Sequence, residues 1–231
     1  MPATLVRLAE VADAARAELL DRVLAAGLVC FPTDTVYGLG GALRPVVVDA
    51  VVRAKGRDVD KPLQVIFPTL AALVAAVAPR PGLKAVFDRL LPGGLTLVIP
   101  YPVGFACPPP GQGRGGRPTL GVRVPAWPQP ARLMAALCGP LVASSANRSG
   151  APAVRSLGDV PAETRDACEL LLDAGTLAGT ASTVVDVSEY EENGAWRILR
   201  VGAVSPETII AALGPARDAD DGPGPDRGGR S

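Results

Sequence analysis

Apolar side chains recur at helical spacing through residues 9–26, AEVADAARAELLDRVLAA, and stop at Gly27, a residue suited to the position just past a helix. A short apolar run, 28–32, then predicts a buried strand. The two periods alternate down the chain. Pro45 opens a predicted helix over 46–55 that Gly56 closes; 63–67 reads as a strand, with helices near 69–78 and 81–91. Strands at 95–100 and 120–124 flank a glycine-rich loop, a helix near 129–138 ends at Gly139, and 141–144 is a further buried strand. Strands near 169–173, 183–188 and 196–201 precede a last helix to Leu213, with Ser205 at the N-cap and Pro206 at N1. Helices interleaved with short apolar strands predict an α/β fold, a partly parallel sheet with helices packed on it. No charged or polar linker divides 1–213, so one domain is expected there.

Composition sharpens the ends of that domain. Gly and Pro fill ten of the 17 residues in 102–118, read as a long mobile loop, and eight of the 18 in 214–231, read as a disordered tail. Over all 231 residues the chain is 48% apolar, which excludes a disordered protein. Its 23 basic residues balance 23 acidic ones, which argues against bulk binding to nucleic acid or acidic membranes and leaves room only for a local basic cluster. Histidine is missing altogether, which removes Ser-His-Asp and Cys-His catalysis, histidine zinc sites and an imidazole switch. Cys30, Cys107, Cys138 and Cys168 are scattered, as expected of reduced thiols in a cytoplasmic protein rather than a disulfide framework or thiolate metal site. Glu10, Asp13 and Glu18 interrupt the start where a signal peptide needs an apolar run. The uncharged stretches 63–79 and 90–113 are broken by proline and glycine, so neither reads as a membrane span.

Familiar nucleotide signatures fail here. Gly111 to Gly116 spells G-x-G-x-x-G, but it follows prolines rather than a strand and leads into a strand rather than a helix. No Walker A sequence or G-x-S-x-G elbow occurs, and Asp34-Thr35-Val36 lacks the second aspartate of an aspartyl-phosphate site.

Four segments at predicted strand or helix ends carry ligand-binding chemistry. Residues 31–40, FPTDTVYGLG, bring hydroxyls and a carboxylate to the carboxyl end of a strand, either for a ligand or for a tight turn that caps a helix. Lys55 and Arg57, with Lys61 nearby, form a phosphate clamp or simply meet a helix dipole. Arg123 interrupts the apolar run Leu120, Val122, Val124 in phase with Gly121, and either faces solvent or takes a substrate carboxylate. Residues 143–150, ASSANRSG, suit an anion nest or an Asx turn. Ser182-Thr183 before a strand and Arg200 at a strand end complete the set.

In this order, PTDTVYGLG, K-x-R-x-x-x-K-P-L, PGGLT, VRVP, SSAN-x-SG and STVVD resemble the YrdC-like threonylcarbamoyl-adenylate synthases over about residues 15–210. Each motif alone is weak; the ordered set is specific. The resemblance implies an open, twisted mixed sheet with a basic concave face. It also implies condensation of L-threonine, bicarbonate and ATP to threonylcarbamoyl-AMP and pyrophosphate, with magnesium held through the phosphates. A separate transferase complex would then modify tRNA, with no direct tRNA binding required of this chain. Carried over by position, Thr33, Arg123, Ala143 and Ser182 are expected to bind threonine, with Tyr37 as a pocket wall. Lys55, Arg57, Thr119, Ser145, Asn147 and Arg200 are expected at the nucleotide, Lys55 and Arg57 as catalytic stabilisers of the leaving pyrophosphate. Such chemistry needs alignment and charge stabilisation, so it runs without histidine.

The chain departs from its relatives at Ser144, where many have Pro, at Leu91, where Trp often stands, and at Ile66, where some have His. With the ordered part ending near 213, the extra C-terminal domain of some relatives is expected to be absent. The competing readings are an RNA-binding or ribosome-maturation factor and a carbamoyl-transfer enzyme. The first wants dispersed cations and stacking aromatics, and only 4% of residues are aromatic. The second wants accessory acylphosphatase and zinc-finger regions, which have no counterpart in this sequence.

Overall fold

Successive side chains of a strand point to opposite faces, and this chain uses the two faces differently. The computed structural model describes residues 3–56, 63–105, 107–148 and 150–216. Among them, eleven strands join in one mixed sheet. These are β1 (Thr4–Arg7), β2 (Val29–Pro32), β3 (Tyr37–Ala42), β4 (Gln64–Ile66), β5 (Leu95–Pro100), β6 (Gly111–Gln112), β7 (Pro118–Arg123), β8 (Leu141–Ser145), β9 (Leu170–Asp173), β10 (Thr183–Asp186) and β11 (Arg197–Arg200). Their spatial order is β1-β9-β2-β3-β8-β4-β7-β5-β10-β11, with β6 on β7 beside the main path. The pairs β1–β9, β9–β2, β4–β7 and β5–β10 are parallel. The pairs β2–β3, β3–β8, β8–β4, β7–β5 and β10–β11 are antiparallel.

The helices are α1 (Arg16–Ala25), α2 (Pro45–Lys55), α3 (Leu70–Val77), α4 (Pro81–Leu90), α5 (Ala162–Asp166), α6 (Tyr190–Asn193) and α7 (Pro206–Leu213). One face of the sheet carries most of the apolar core. Leu97, Leu120, Val122 and Val185 pack with Leu73 of α3, Phe87 of α4 and Ile209 of α7. Further along the same face, Leu39 and Val142 meet Val47 and Val51 of α2. On the other face Val29, Phe31, Ile66 and Leu141 lie against Leu19 and Val23 of α1 and against Met134. That second cover stops short of β7, β5 and β10, where the outward positions are Thr119, Gly121, Arg123, Thr96, Val98 and Val184.

Several elements differ from the sequence pattern. The helix expected over 9–26 begins only at Arg16, because Val11 and Ala12 take extended backbone and break the ladder into two 3₁₀ turns, Leu8–Glu10 and Asp13–Ala15. It ends with extended Ala26, and Gly27 serves instead to let its N–H reach Glu169 Oε1 at 2.9 Å. The helix near 129–138 is a 3₁₀ run, Gln129–Ala136. The glycine-rich segment 102–118 is partly built into the sheet, since β6 pairs antiparallel with β7 and Arg114–Gly116 forms a 3₁₀ turn. Gly56 closes α2 in the left-handed region, φ 52°, as its position predicts. Cys30, Cys107 and Cys168 are buried free thiols and Cys138 is an exposed one; burial pushes Cys168 up to about 12. No helix among the described residues is long and apolar enough to cross a membrane.

The strand β3, YGLGGA, lies within a segment that reads as a loop, because its glycines suppress the apolar alternation. They are there for close approach: a Cβ on Gly40 would stand 1.9 Å from the Val142 carbonyl oxygen, with Val142 C and Ala143 Cα also within 3.0 Å. All three are backbone atoms of the neighbouring strand and cannot step aside. Gly40→Ala is therefore expected to destabilise the fold by about 3 kcal/mol or more, read as a lower urea midpoint with an unchanged m-value.

Candidate active site

The uncovered half of the sheet floors a cavity of about 460 Å³, a volume within the range typical of small-molecule sites. Strand β7 contributes Thr119, Gly121 and Arg123; β5 contributes Thr96 and Val98. Ser182 and Val184 come from the start of β10 and Arg200 from the end of β11, while Ala143, Ser145 and Asn147 come from β8 and the loop after it. Thr33, at the turn after β2, and Lys55, the last residue of α2, close the walls.

The Thr33 hydroxyl organises the β2–β3 turn. It donates to the Val36 carbonyl at 2.7 Å and accepts from the Thr35 and Val36 N–H groups, each at 3.2 Å. That turn presents Asp34 and Thr35 to Arg123, whose side chain is 2% exposed. One terminal nitrogen of the guanidinium donates to Asp34 Oδ1 and to Thr35 Oγ1, the latter at 2.7 Å. Asp34 in turn accepts from the Ala126 N–H at 3.1 Å through Oδ2. Burial pulls the Arg123 guanidinium below its usual value and Asp34 opposes the pull; a group that starts so high stays charged at neutral pH. Its Nε is buried with no hydrogen-bond partner among the described residues.

Lys55 is also buried. Its ammonium donates to the Ser145 carbonyl at 2.8 Å and to the Asn147 carbonyl, tying the end of α2 to the loop after β8. That loop is braced internally, with Ser145 Oγ donating to Asn147 Oδ1 and Asn147 Nδ2 to the Ala151 carbonyl. Across the floor runs a second polar string. Arg200 donates to the Ser182 carbonyl at 2.8 Å and to Ser182 Oγ at 3.3 Å. Ser182 Oγ lies 2.9 Å from Thr96 Oγ1, which donates to Gln64 Oε1 at 2.9 Å.

The cavity thus gathers Thr33, Lys55, Thr119, Arg123, Ala143, Ser145, Asn147, Ser182 and Arg200. Tyr37 is not among its lining residues. It points to the opposite face, where its hydroxyl donates to the Gly175 carbonyl at 2.8 Å and accepts from the Ala174 N–H at 3.0 Å. The period-two alternation that turns Gly38 toward the cavity turns Tyr37 away, and burial pushes its phenol upward. Arg57 lies outside the described residues. Three groups escaped sequence reasoning: Asp34 as the ion-pair partner of Arg123, and Gln64 and Thr96 on the floor. The signal for the last two was available, since each is the polar residue of an otherwise apolar strand.

The family model for Sua5/YciO/YrdC proteins, described as telomere recombination, matches residues 22–202. The threonylcarbamoyl-AMP synthase of Pyrococcus abyssi is 35% identical over 195 residues, 82% of this chain and 54% of that protein. The threonylcarbamoyl-AMP synthase of Bacillus subtilis is 32% identical over 191 residues, 81% of this chain and 53% of the relative. This chain therefore spans about half the length of these two curated relatives. The crystal structure of P. abyssi Sua5 complexed with L-threonine is similar with a TM-score of 0.74 and 31% identity, over 94% of this chain and 62% of that one. On the extent of the family match and these identities, the chain belongs to the Sua5/YciO/YrdC family.

Proposed function

We propose that this protein is an L-threonylcarbamoyladenylate synthase, condensing L-threonine, bicarbonate and ATP into threonylcarbamoyl-AMP and pyrophosphate. The observation that carries the reading is the cavity itself. Two buried cations, Lys55 and Arg123, and a set of hydroxyls and amides converge on one open stretch of sheet in a chain of zero net charge. Two relatives bear the name of this activity, and a family member has been crystallised with L-threonine.

In this reading Arg123 and Thr33 sit at the amino-acid end with Ala143 and Ser182, and Arg123 takes the threonine carboxylate. Lys55, Arg57, Ser145 and Asn147 surround the phosphates, with Thr119 and Arg200 against the rest of the nucleotide. Threonine's amine first adds to carbon dioxide with loss of a proton to solvent, or condenses with bicarbonate with loss of water, to give a carbamate. A carbamate oxygen then attacks the α-phosphorus in line, the bond to the β-phosphate oxygen breaks, and pyrophosphate leaves with its charge opposed by Lys55 and Arg57. In this reading magnesium comes in on the triphosphate oxygens. The synthase domain covers 1–213, with 214–231 as a tail outside it. The product passes, in the cytoplasm, to a separate transferase complex that modifies tRNA, and the synthase itself needs no grip on tRNA.

Pyrophosphate release with ATP, bicarbonate and each amino acid in turn is expected to depend on L-threonine. Release that ignores threonine, or appears only with RNA, overturns the reading in favour of an RNA-directed role. Lys55→Met and Arg57→Ala are each expected to lower kcat for that release by about 100-fold; unchanged turnover in either removes that residue from the leaving-group role. Asp34→Asn leaves the Arg123 charge buried without its counter-ion, so it is expected to cost about 3 kcal/mol of stability in urea unfolding; a loss under about 1 kcal/mol means that the pair behaves as a surface pair.

A further inference from the structure

The floor string has a direction. A carboxamide oxygen can only accept, so Thr96 spends its single hydroxyl proton on Gln64 Oε1. The Thr96 oxygen must then accept from Ser182, 2.9 Å away, and Ser182 Oγ accepts in turn from the Arg200 guanidinium. Every donor points the same way, from a cation toward Gln64, and charge at the head of such a chain polarises the bonds after it. The carboxamide is thereby fixed with its oxygen turned back and its NH2 turned outward. That NH2 has no hydrogen-bond partner among the described residues and is not sealed from the cavity that Gln64 lines.

Its neighbours select the ligand. Gln64 is in register with Gly121 of β7, and Arg123, opposite Ile66, lies diagonally across on the same face. On its other side Gln64 is in register with Ala143 of β8. A carboxylate offers about four acceptor positions on two oxygens, and Arg123 already turns one nitrogen to Asp34 and Thr35. A neutral amide beside it supplies a further donor without adding a second buried cation.

We propose that Gln64 is a specificity-determining residue of this cavity, donating from its side-chain NH2 to a carboxylate oxygen of the amino-acid substrate, and that Thr96 is the positioning residue that keeps this NH2 turned outward, to the cavity. The assignment to an amino acid rests on the synthase reading; the donor and its orientation rest on the string alone. The carboxylate belongs either to threonine itself or to the carbamate formed on its amine, and experiment separates the two.

Calorimetric binding of L-threonine to the full chain, without ATP or bicarbonate, reads the first source; the KM for bicarbonate in pyrophosphate release reads the second. Gln64→Met, similar in length and without a donor, is expected to weaken one of these by about 10-fold while the KM for ATP and the melting temperature hold. Thr96→Val is expected to weaken the same constant, Thr96→Ser to restore it, and the double variant to be no worse than Gln64→Met alone. Wild-type threonine affinity and bicarbonate KM in Gln64→Met, or additive losses in the double variant, overturn the proposal while leaving the synthase reading intact. If the wild type shows no threonine-dependent turnover, the synthase reading falls and calorimetry across the other amino acids decides: one that binds the wild type but not Gln64→Met sustains the proposal, and none binding overturns it.

Discussion

A sheet whose central strands are covered on one face and only in part on the other leaves a row of strand positions that must serve two masters. They stand on a sheet whose reverse side is dry, yet face an open cavity themselves. Large apolar side chains there would be an exposed patch, and isolated charges would be half-desolvated without partners. The chain fills these positions with Gly121, Thr96, Thr119, Val184 and Gln64, and it admits Arg123 only with Asp34 and Thr35 against it. The cover on the reverse face, from Leu97, Leu120, Val122 and Val185 to α3, α4 and α7, makes the arrangement rigid enough to matter. The site is the uncovered remainder of a packing problem already solved on the other side.

The two buried cations are neutralised by different means, and the difference suits different tasks. Arg123 meets a carboxylate and a hydroxyl through one nitrogen, which offsets its burial while its Nε has no partner among the described residues. Lys55 meets main-chain carbonyls at Ser145 and Asn147, whose partial charges hold the ammonium in place. A loop held in this way by the end of α2 couples two elements far apart in sequence. Moving the loop means moving the cation, so the position of the charge and the shape of the loop cannot vary independently.

Much of the fold was legible because its signals are local. Pro45 and Gly56 bracket α2, Ser205 and Pro206 start α7, and the apolar runs at 28–32, 63–67 and 141–144 contain the core strands. What was not legible depends on partners distant in the chain. Strand β3 is hidden because Gly38, Gly40 and Gly41 interrupt the apolar alternation, Gly40 at a point where the Val142 backbone comes too close for a side chain. The 3₁₀ run Gln129–Ala136 carries helical spacing that three-residue turns satisfy equally well over so short a length. At the site, the hydroxyl and amide motifs announced themselves by residue type, whereas the Asp34–Arg123 pair spans 89 positions and no spacing rule reaches it. Tyr37 shows the reverse: a residue inside a ligand-rich motif whose strand parity sends it to the other face.

The lack of histidine makes geometry the natural currency of this site. Threonine and serine hydroxyls, carboxamides and a guanidinium keep their protonation through the neutral range, so these lining groups do not serve as an acid–base pair near pH 7. The titratable groups behind the floor are no substitute, since burial pushes the Tyr37 phenol and the Cys30 thiol further from neutrality. A reaction suited to such a surface is one whose difficulty lies in bringing together two anions and spreading charge at the junction, with no proton to be shuttled by the protein. Joining a carbamate to the α-phosphorus of a nucleotide has that profile. The turn held by the Thr33 hydroxyl, the Ser145–Asn147 bracing and the directed string from Arg200 to Gln64 are what such a surface requires, because each fixes a donor before the substrates arrive.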